Sequence, residues 1–461
     1  MVDIVAKIHD KFSLEFKIGL RVNDKVNENS FSVSMWIFVP DSLDLNSKTY
    51  KRDIFYRDLR SSVRLITPVF KLEELADNSS APLLQLKRSI NEHSLYGNLD
   101  SAEKFEYNVK MFSAIFKSSL RESAKNGDPR KTASDALAAL KNYRFLESVV
   151  RQKMRQEEKN YFSFGEEFMS NLLVDYLFRN VGAGLKSELK EELEYRERVG
   201  FPNPEQENKL KNRDIVFRRG ILKKYIESDL FLNAKKKREG IIAEQVYFSV
   251  AAGISMIFAT AIAFSFQQRY GNFTMPFFVA LVVSYMLKDR IKELFRYYFA
   301  HKHRSKYFDN KTTFGIGHNQ IGWSREGFDF ISQSNIPDQV LKIRSRSPLL
   351  EADNKYTREK IMLFRKSYMI DKPKTDAHGS YKIEGVNDIL RLNMNSFMYK
   401  MDNPEISLFY IDKNDEVDKL MANKVYYVNF IVRLRHEDEE YFKRYRVILT
   451  RSGILEIEDL Y

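Results

Sequence analysis

Few residues in this chain have the types and spacing that catalysis or metal binding requires. The glycine cluster GIGHNQIG at 315–322 matches neither GxGxxG nor GxxxxGKS, and no clear strand and helix flank it. Phosphate-binding loops need that spacing because several backbone N–H groups must converge on one anion. We therefore predict no nucleotide cofactor at this cluster.

Three histidines are the first candidates for a metal site: His301, His303 and His318. On a helix, positions 301 and 303 lie about 200° apart, so their rings point in opposite directions and do not share an ion. The neighbouring residues are basic. We therefore expect these histidines to extend a cationic surface, and we predict no metal ligand among them.

Acidic residues and cysteines give no catalytic site either. Residues 437–440 are all acidic and lie between two strand candidates, which favours a solvated hairpin loop over a cation site that would need further oxygen ligands. The chain has no cysteine, which excludes disulfides, thiolate nucleophiles and cysteine-bound zinc. We predict no catalytic residue, no metal and no cofactor, and we favour a protein that is not an enzyme.

The net charge of +12 points to anionic partners. A basic stretch at 209–225 could bind phosphates, but acidic residues interrupt it and no known nucleic-acid-binding motif is present. Nucleic acid is therefore a disfavoured partner. Anionic lipid headgroups explain the charge better, because many of the basic residues flank the apolar segment described next.

Two apolar runs without Asp, Glu, Lys or Arg lie in a chain that is 30% charged. They are VYFSVAAGISMIFATAIAFSF, from Val246, and FTMPFFVALVVSYML, which ends at Leu287. The first run is roughly 31 Å long as a helix, close to a hydrocarbon core of about 30 Å. The sequence predicts a two-helix transmembrane hairpin at 246–266 and 270–287.

Basic residues flank both runs, whereas the connection between them carries only Arg269. Because cytoplasmic segments collect Lys and Arg, this asymmetry predicts a two-pass integral membrane protein with cytoplasmic N- and C-termini. The residues expected at the membrane surface are Lys235, Lys236, Lys237, Arg238, Lys288, Arg290, Lys292 and Arg296.

Small residues recur every four positions in the first run, at Ala251, Ser255, Ala259 and Ala263. Such a stripe drifts by only about 40° per step, so it stays on one helix face. Small residues let helix backbones approach closely in lipid. The stripe predicts a packing seam with the second helix or with another copy of the chain, although alanine is common in membrane helices in any case.

The overall pattern predicts an α+β membrane protein. We expect a β-rich cytoplasmic domain at 1–100, a helical cytoplasmic region at 101–240, the hairpin with a basic amphipathic extension at 241–306, and an α+β cytoplasmic domain at 307–461. Alternation of apolar residues from Phe12 to Leu20 predicts a strand. In the last domain, 355–368 and 386–401 are predicted to be helical, and the C-terminus is predicted to form a β-meander.

Three function classes fit these predictions. The favoured one is a membrane-anchored cytoplasmic scaffold or sensor that binds a protein partner. The second is an oligomeric membrane effector or pore whose hairpin is controlled by the cytoplasmic domains. The third is a membrane-bound enzyme of a fold that the sequence does not reveal.

Overall fold

The computed structural model describes residues 3–23, 25–239, 241–272, 274–298, 308–316, 319–344, 359–371, 381–413 and 415–460. Within these residues the fold is α+β, as the sequence predicts. The helices are α1 (Arg52–Asp58), α2 (Leu72–Ala76), α3 (Ala81–Tyr96), α4 (Leu99–Asn126), α5 (Pro129–Arg144), α6 (Glu147–Lys153), α7 (Gln156–Arg179), α8 (Lys186–Val199), α9 (Lys209–Ile226), α10 (Ile241–Tyr270), α11 (Met275–Tyr298), α12 (Asp338–Arg344) and α13 (Asn395–Met398).

In chain order, strands both precede and follow the long helical region from α2 to α9. They are β1 (Asp3–Asp10), β2 (Ser13–Arg21), β3 (Glu28–Val39), β4 (Leu59–Leu65), β5 (Asn233–Arg238), β6 (Asn310–Ile316), β7 (Asn319–Ile331), β8 (Lys360–Asp371), β9 (Gly385–Asn393), β10 (Glu405–Ile411), β11 (Val417–Asn423), β12 (Tyr426–His436), β13 (Glu439–Thr450) and β14 (Gly453–Asp459).

In the part of the chain that the structure describes, the strands form three sheets. A four-stranded sheet has the order β1-β2-β9-β4, and among the described residues β10 and β11 pair only with each other. The largest sheet has eight strands in the order β14-β13-β12-β3-β8-β7-β6-β5. Its central strand β3 brings the N-terminal segment against the C-terminal meander β12-β13-β14, and all of its pairings are antiparallel.

The chain divides into two compact units. The first contains residues 1–62, 233–374 and 388–461, and the second contains 63–232 and 375–387. The first unit therefore combines the beginning and the end of the chain. The domain boundaries predicted from the sequence follow chain order, whereas this division does not.

Apolar patterning explains much of each core. The alternation around Phe16 forms β2, in which Leu14, Phe16, Ile18 and Leu20 are all fully buried. In the second unit, α4 buries an apolar face at helical spacing, which includes Phe105, Val109, Phe112 and Phe116. Both elements bury the face that the sequence pattern indicates.

Two helix predictions in the C-terminal region are wrong. Residues 360–371 form β8 and 385–393 form β9, followed by only the short helix α13. Positions 355–358 of the first predicted helix lie outside the described residues. In β8, every second residue from Met362 to Ile370 is buried, but one of these inward positions is Lys366. The charged residue interrupts the apolar alternation by which a strand is recognised.

The predicted two-helix transmembrane hairpin is also wrong. Helices α10 and α11 do form, but among the described residues only Gln245–Tyr270 is long and apolar enough to cross a membrane. Helix α11 carries charged residues from Lys288 onward. Its uncharged part, Met275 to Leu287, is roughly 20 Å long at 1.5 Å per residue, well short of a hydrocarbon core of about 30 Å. The two-pass topology and the cytoplasmic termini depended on that hairpin and are not supported.

Candidate functional site

The apolar segment is an insertion at the edge of the eight-stranded sheet. Strand β5 precedes α10, β6 follows α11, and the two strands pair antiparallel with Arg238 opposite Asn310. The backbone N–H of Glu239 donates to the carbonyl of Asp309 at 2.9 Å. The sheet therefore holds the two ends of the segment 239–309 together, and α10 begins immediately beyond this sheet edge.

Helix α10 exposes large apolar side chains around most of its surface. Ile257 is 69% exposed and Phe264 is 68% exposed. Only 17% of the most apolar 18-residue window of Gln245–Tyr270 is buried. An apolar helix at the centre of a soluble protein is mostly buried, whereas a helix in lipid is apolar all round without protein cover. The exposure of α10 therefore differs from that of a buried core helix.

The predicted small-residue stripe lies on the buried side of α10. Ala251, Ser255 and Ala259 are buried, and Ala263 is half-buried. The Ser284 hydroxyl on α11 donates to the carbonyl of Ala259 at 2.8 Å. Such close contact requires small residues, because a larger side chain at 259 would separate the two helices. Packing of this stripe against another copy of the chain stays a prediction.

The predicted membrane-surface residues fall on two elements. Lys235, Lys236, Lys237 and Arg238 form most of β5, the outermost strand of its sheet, and all four are exposed. Lysines on an edge strand also prevent unwanted strand pairing, which is an alternative reason for their presence. Lys288, Arg290, Lys292 and Arg296 all lie in the second half of α11.

A buried charged cluster in the first unit was not visible in the sequence. Lys366 on β8 is 2% exposed and donates to Asp388 on β9 at 2.5 Å and to the Ser61 hydroxyl on β4 at 2.7 Å. Tyr368 also donates to Asp388, at 2.5 Å. Burial, reinforced by the Asp388 charge, raises the pKa of Tyr368 well above its usual value.

This cluster contains a serine and a lysine in contact, as a serine–lysine nucleophile pair does. However, its hydrogen bonds run in the wrong direction for activating the serine. In such a pair the amine must accept the serine proton. Here Lys366 is bound by Asp388 and lies 4.0 Å from Glu326, while the Ser61 hydroxyl donates to Asp388 at 2.9 Å. The lysine therefore acts as a donor, and the cluster joins three strands rather than activating Ser61.

The second unit also buries charged groups. Arg144 donates to Glu166 at 2.9 Å and to Glu192 at 2.7 Å, which links α5, α7 and α8. Arg196 is fully buried and donates to the Ser170 hydroxyl at 2.8 Å. Burial raises the pKa of Glu166 although Tyr195 and Arg144 oppose this effect by hydrogen bonding. Because these groups satisfy each other, they hold the helices in register.

The remaining motifs from the sequence have simple locations. His436 ends β12 and Glu439 begins β13, so the acidic run at 437–440 forms an exposed hairpin, as predicted. His301, His303 and His318 lie outside the described residues. In the part of the chain that the structure describes, no group of three or more His, Asp or Glu residues could hold a metal ion.

Comparisons with known protein families, with curated proteins and with solved structures found no match to this chain.

Proposed function

We propose that this protein attaches to a membrane through α10 and binds a protein partner with its first unit. The observation that carries the proposal is the exposure of α10. Burying one large apolar side chain in a non-polar environment is worth about 1.5–3 kcal/mol relative to water. Lipid contact along α10 would supply this free energy many times over.

The basic residues beside α10 support contact with anionic lipid. Lys235, Lys237 and Arg238 of β5 directly precede the segment, whereas Lys236 is paired with Glu326. The basic residues of α11 follow its uncharged part. Each Lys or Arg close to an anionic leaflet contributes about 1 kcal/mol, and this attraction weakens as salt is added. We therefore propose phospholipids with anionic headgroups as the preferred surface.

The hairpin β10–β11 supports the second part of the proposal, a protein partner. It forms a sheet of its own, in which Phe409 is 72% exposed, Ile411 66% and Val417 75%. An isolated two-stranded hairpin is only marginally stable in water, and exposed apolar patches commonly mark binding surfaces. Its turn carries Asp412, Lys413, Asp415 and Glu416, a net negative set of charges that opposes insertion into a bilayer. This acidic turn favours a protein over lipid as the partner of the hairpin.

Vesicle flotation tests the membrane attachment. The full chain is expected to float with vesicles of phosphatidylcholine mixed with phosphatidylserine, and less with phosphatidylcholine alone. The double substitution I254K/I257K should abolish flotation, because each lysine at the centre of a membrane helix costs about 2.5–3.5 kcal/mol. Leu95→Lys is the matched control, since Leu95 is 78% exposed on α3, and it should float normally. Equal flotation of the double variant would refute lipid contact through α10.

Cross-linking in cells tests the partner surface. A photo-reactive residue placed at Phe409 is expected to give one discrete adduct, and the same residue at Leu95 is expected to give none. If Ile411→Asp left the adduct at position 409 unchanged, the hairpin would not be the binding surface.

A further inference from the structure

An open polar cavity of about 510 Å³ lies within the first unit. It is located where β1 ends, β2 begins and β9 ends, and the backbone N–H of Met394 donates to the carbonyl of Phe12 at 2.7 Å to hold these ends together. The beginning of β4 and the residues around α13 complete its walls. Three separate parts of the chain therefore meet at this cavity.

The carboxylates of the cavity already accept hydrogen bonds from the protein. Asp58 accepts from Ser396 at 2.6 Å and from Tyr50 at 3.1 Å. Asp10 accepts from the backbone N–H of Phe12 at 2.8 Å, and this hydrogen bond is the main reason that its pKa is lowered. Each carboxylate keeps lone pairs that can accept a hydrogen bond from a ligand hydroxyl group.

The cationic groups of the cavity are less fully engaged. Arg60 is exposed, and no described residue forms a hydrogen bond or ion pair with its guanidinium. Arg57 is 69% exposed at its side chain, and its one ion pair with a described residue is a long contact of 3.4 Å with Asp58. Arg391 donates its Nε to Glu15 at 2.7 Å, and its side chain is still 46% exposed. Guanidinium donors from α1, β4 and β9 are thus open to the cavity.

We propose that this cavity binds a small phosphorylated polyol, with its phosphate monoester held by Arg57, Arg60 and Arg391. Guanidinium groups match phosphate oxygens in paired, charge-assisted hydrogen bonds. Three of them suit the charge of a phosphate monoester better than the single charge of a carboxylate. The volume lies in the usual range for small-ligand sites, about 300–1,000 Å³.

The rest of the lining suits a polyol. Ser13, Asn393 and Asn395 are neutral polar residues, and Asp10 and Asp58 can accept hydrogen bonds from ligand hydroxyl groups. The same chemistry occurs in soluble sugar phosphates and in the phosphorylated inositol headgroups of lipids. The proposal is independent of membrane attachment, because each residue named for the cavity lies outside α10 and α11.

Calorimetry on the full chain in detergent tests the soluble form of the ligand. Ribose 5-phosphate and inositol 4-phosphate are the probes, and ribose and inositol are the controls without phosphate. At least one phosphate ester should bind, and its parent alcohol should not. Arg60→Gln should weaken binding about tenfold or more, the effect of losing one charge-assisted hydrogen bond. Arg60→Lys should restore part of the affinity that Arg60→Gln loses.

Matched controls separate this result from non-specific charge effects. Arg121→Gln removes an exposed arginine of the second unit and should leave the affinity unchanged. Arg57→Gln provides a second variant should Arg60→Gln fail to fold. To test whether the ligand is a lipid headgroup, binding to vesicles that carry phosphatidylinositol 4-phosphate is compared with binding to vesicles that carry phosphatidylinositol. The proposal is overturned if no phosphate ester binds in either form, or if Arg60→Gln and Arg57→Gln bind as tightly as Arg121→Gln.

Discussion

At the scale of single residues, the buried charges of the first unit determine how its strands are joined. Lys366, Asp388, Ser61 and Tyr368 satisfy one another inside the protein. Burying such charges is costly unless every one is paired, so the cluster tolerates few changes. It also explains why β8 and β9 were not predicted, because an inward-facing lysine or aspartate resembles a surface residue in the sequence.

We predict that Asp388→Leu lowers the free energy of unfolding by about 3–5 kcal/mol, because Lys366 is left buried without its partner. The double variant K366M/D388L should lose clearly less free energy of unfolding than Asp388→Leu. Urea unfolding followed by tryptophan fluorescence measures this unit specifically, since both tryptophans of the chain, Trp36 and Trp323, belong to it. A double variant as unstable as Asp388→Leu would contradict the role given to the ion pair.

A pH-dependent contribution is expected from Glu15 on β2. Burial alone would raise the pKa of Glu15, but hydrogen bonds from Lys7 and Arg391 outweigh it and lower the pKa below the usual 4.5. A lowered carboxyl pKa stabilises the fold above the unfolded value, and this stabilisation is lost as the pH falls through the folded value. The Nδ1 atom of His9 lies 3.5 Å from the Glu15 carboxylate, so His9 is a further titratable neighbour.

Glu15→Gln should therefore destabilise the first unit at neutral pH and have progressively less effect as the pH falls below about 4.5. Unfolding curves at several pH values measure the difference from the natural chain. The exposed Glu456 on β14 provides the control substitution Glu456→Gln, which should have little effect throughout. A destabilisation by Glu15→Gln that grew at acidic pH would contradict the assigned direction.

At the scale of elements, apolar periodicity predicted only part of the structure. It indicated β2 and the core face of α4, where one face is apolar and the other polar. It could not show that β3 lies between β8 and β12, because such pairing depends on contacts between distant segments. The polar cavity was hidden for the same reason: Asp10, Arg60 and Arg391 are far apart in sequence.

The length of the apolar runs also misled the transmembrane prediction. The second span was predicted at 270–287, but α11 begins only at Met275 and becomes charged at Lys288. What the sequence did indicate is the apolar character of α10 and its stripe of small residues. These features remain the basis for the proposed lipid contact.

The contact between α10 and α11 depends on a small residue at position 259. Ala259→Leu should lower the thermal stability of the helix pair in detergent, because the larger side chain displaces the Ser284 hydroxyl from its 2.8 Å contact. Ala261→Leu, at an exposed position of the same helix, should have little effect. Circular dichroism melting would compare the two variants. Equal melting temperatures would show that this contact does not stabilise the pair.

At the scale of the whole molecule, an apolar helical insertion begins and ends at one sheet edge of a protein that is otherwise rich in charge. The eight-stranded sheet holds both ends of that insertion, the four-stranded sheet forms the polar cavity, and the β10–β11 hairpin exposes a second apolar surface. We infer that these three surfaces serve three different contacts: lipid, a phosphorylated small molecule and a protein.

Fluorescence quenching measures whether α10 contacts lipid. Because the chain has no cysteine, Ile257→Cys gives a single labelling site for an environment-sensitive dye, and Leu95→Cys gives a matched exposed site on α3. In vesicles with brominated acyl chains, we predict strong quenching of the dye at position 257 and none at position 95. Equal quenching by aqueous iodide at both positions, with no quenching by the brominated lipid, would show that α10 lies in water and not in lipid.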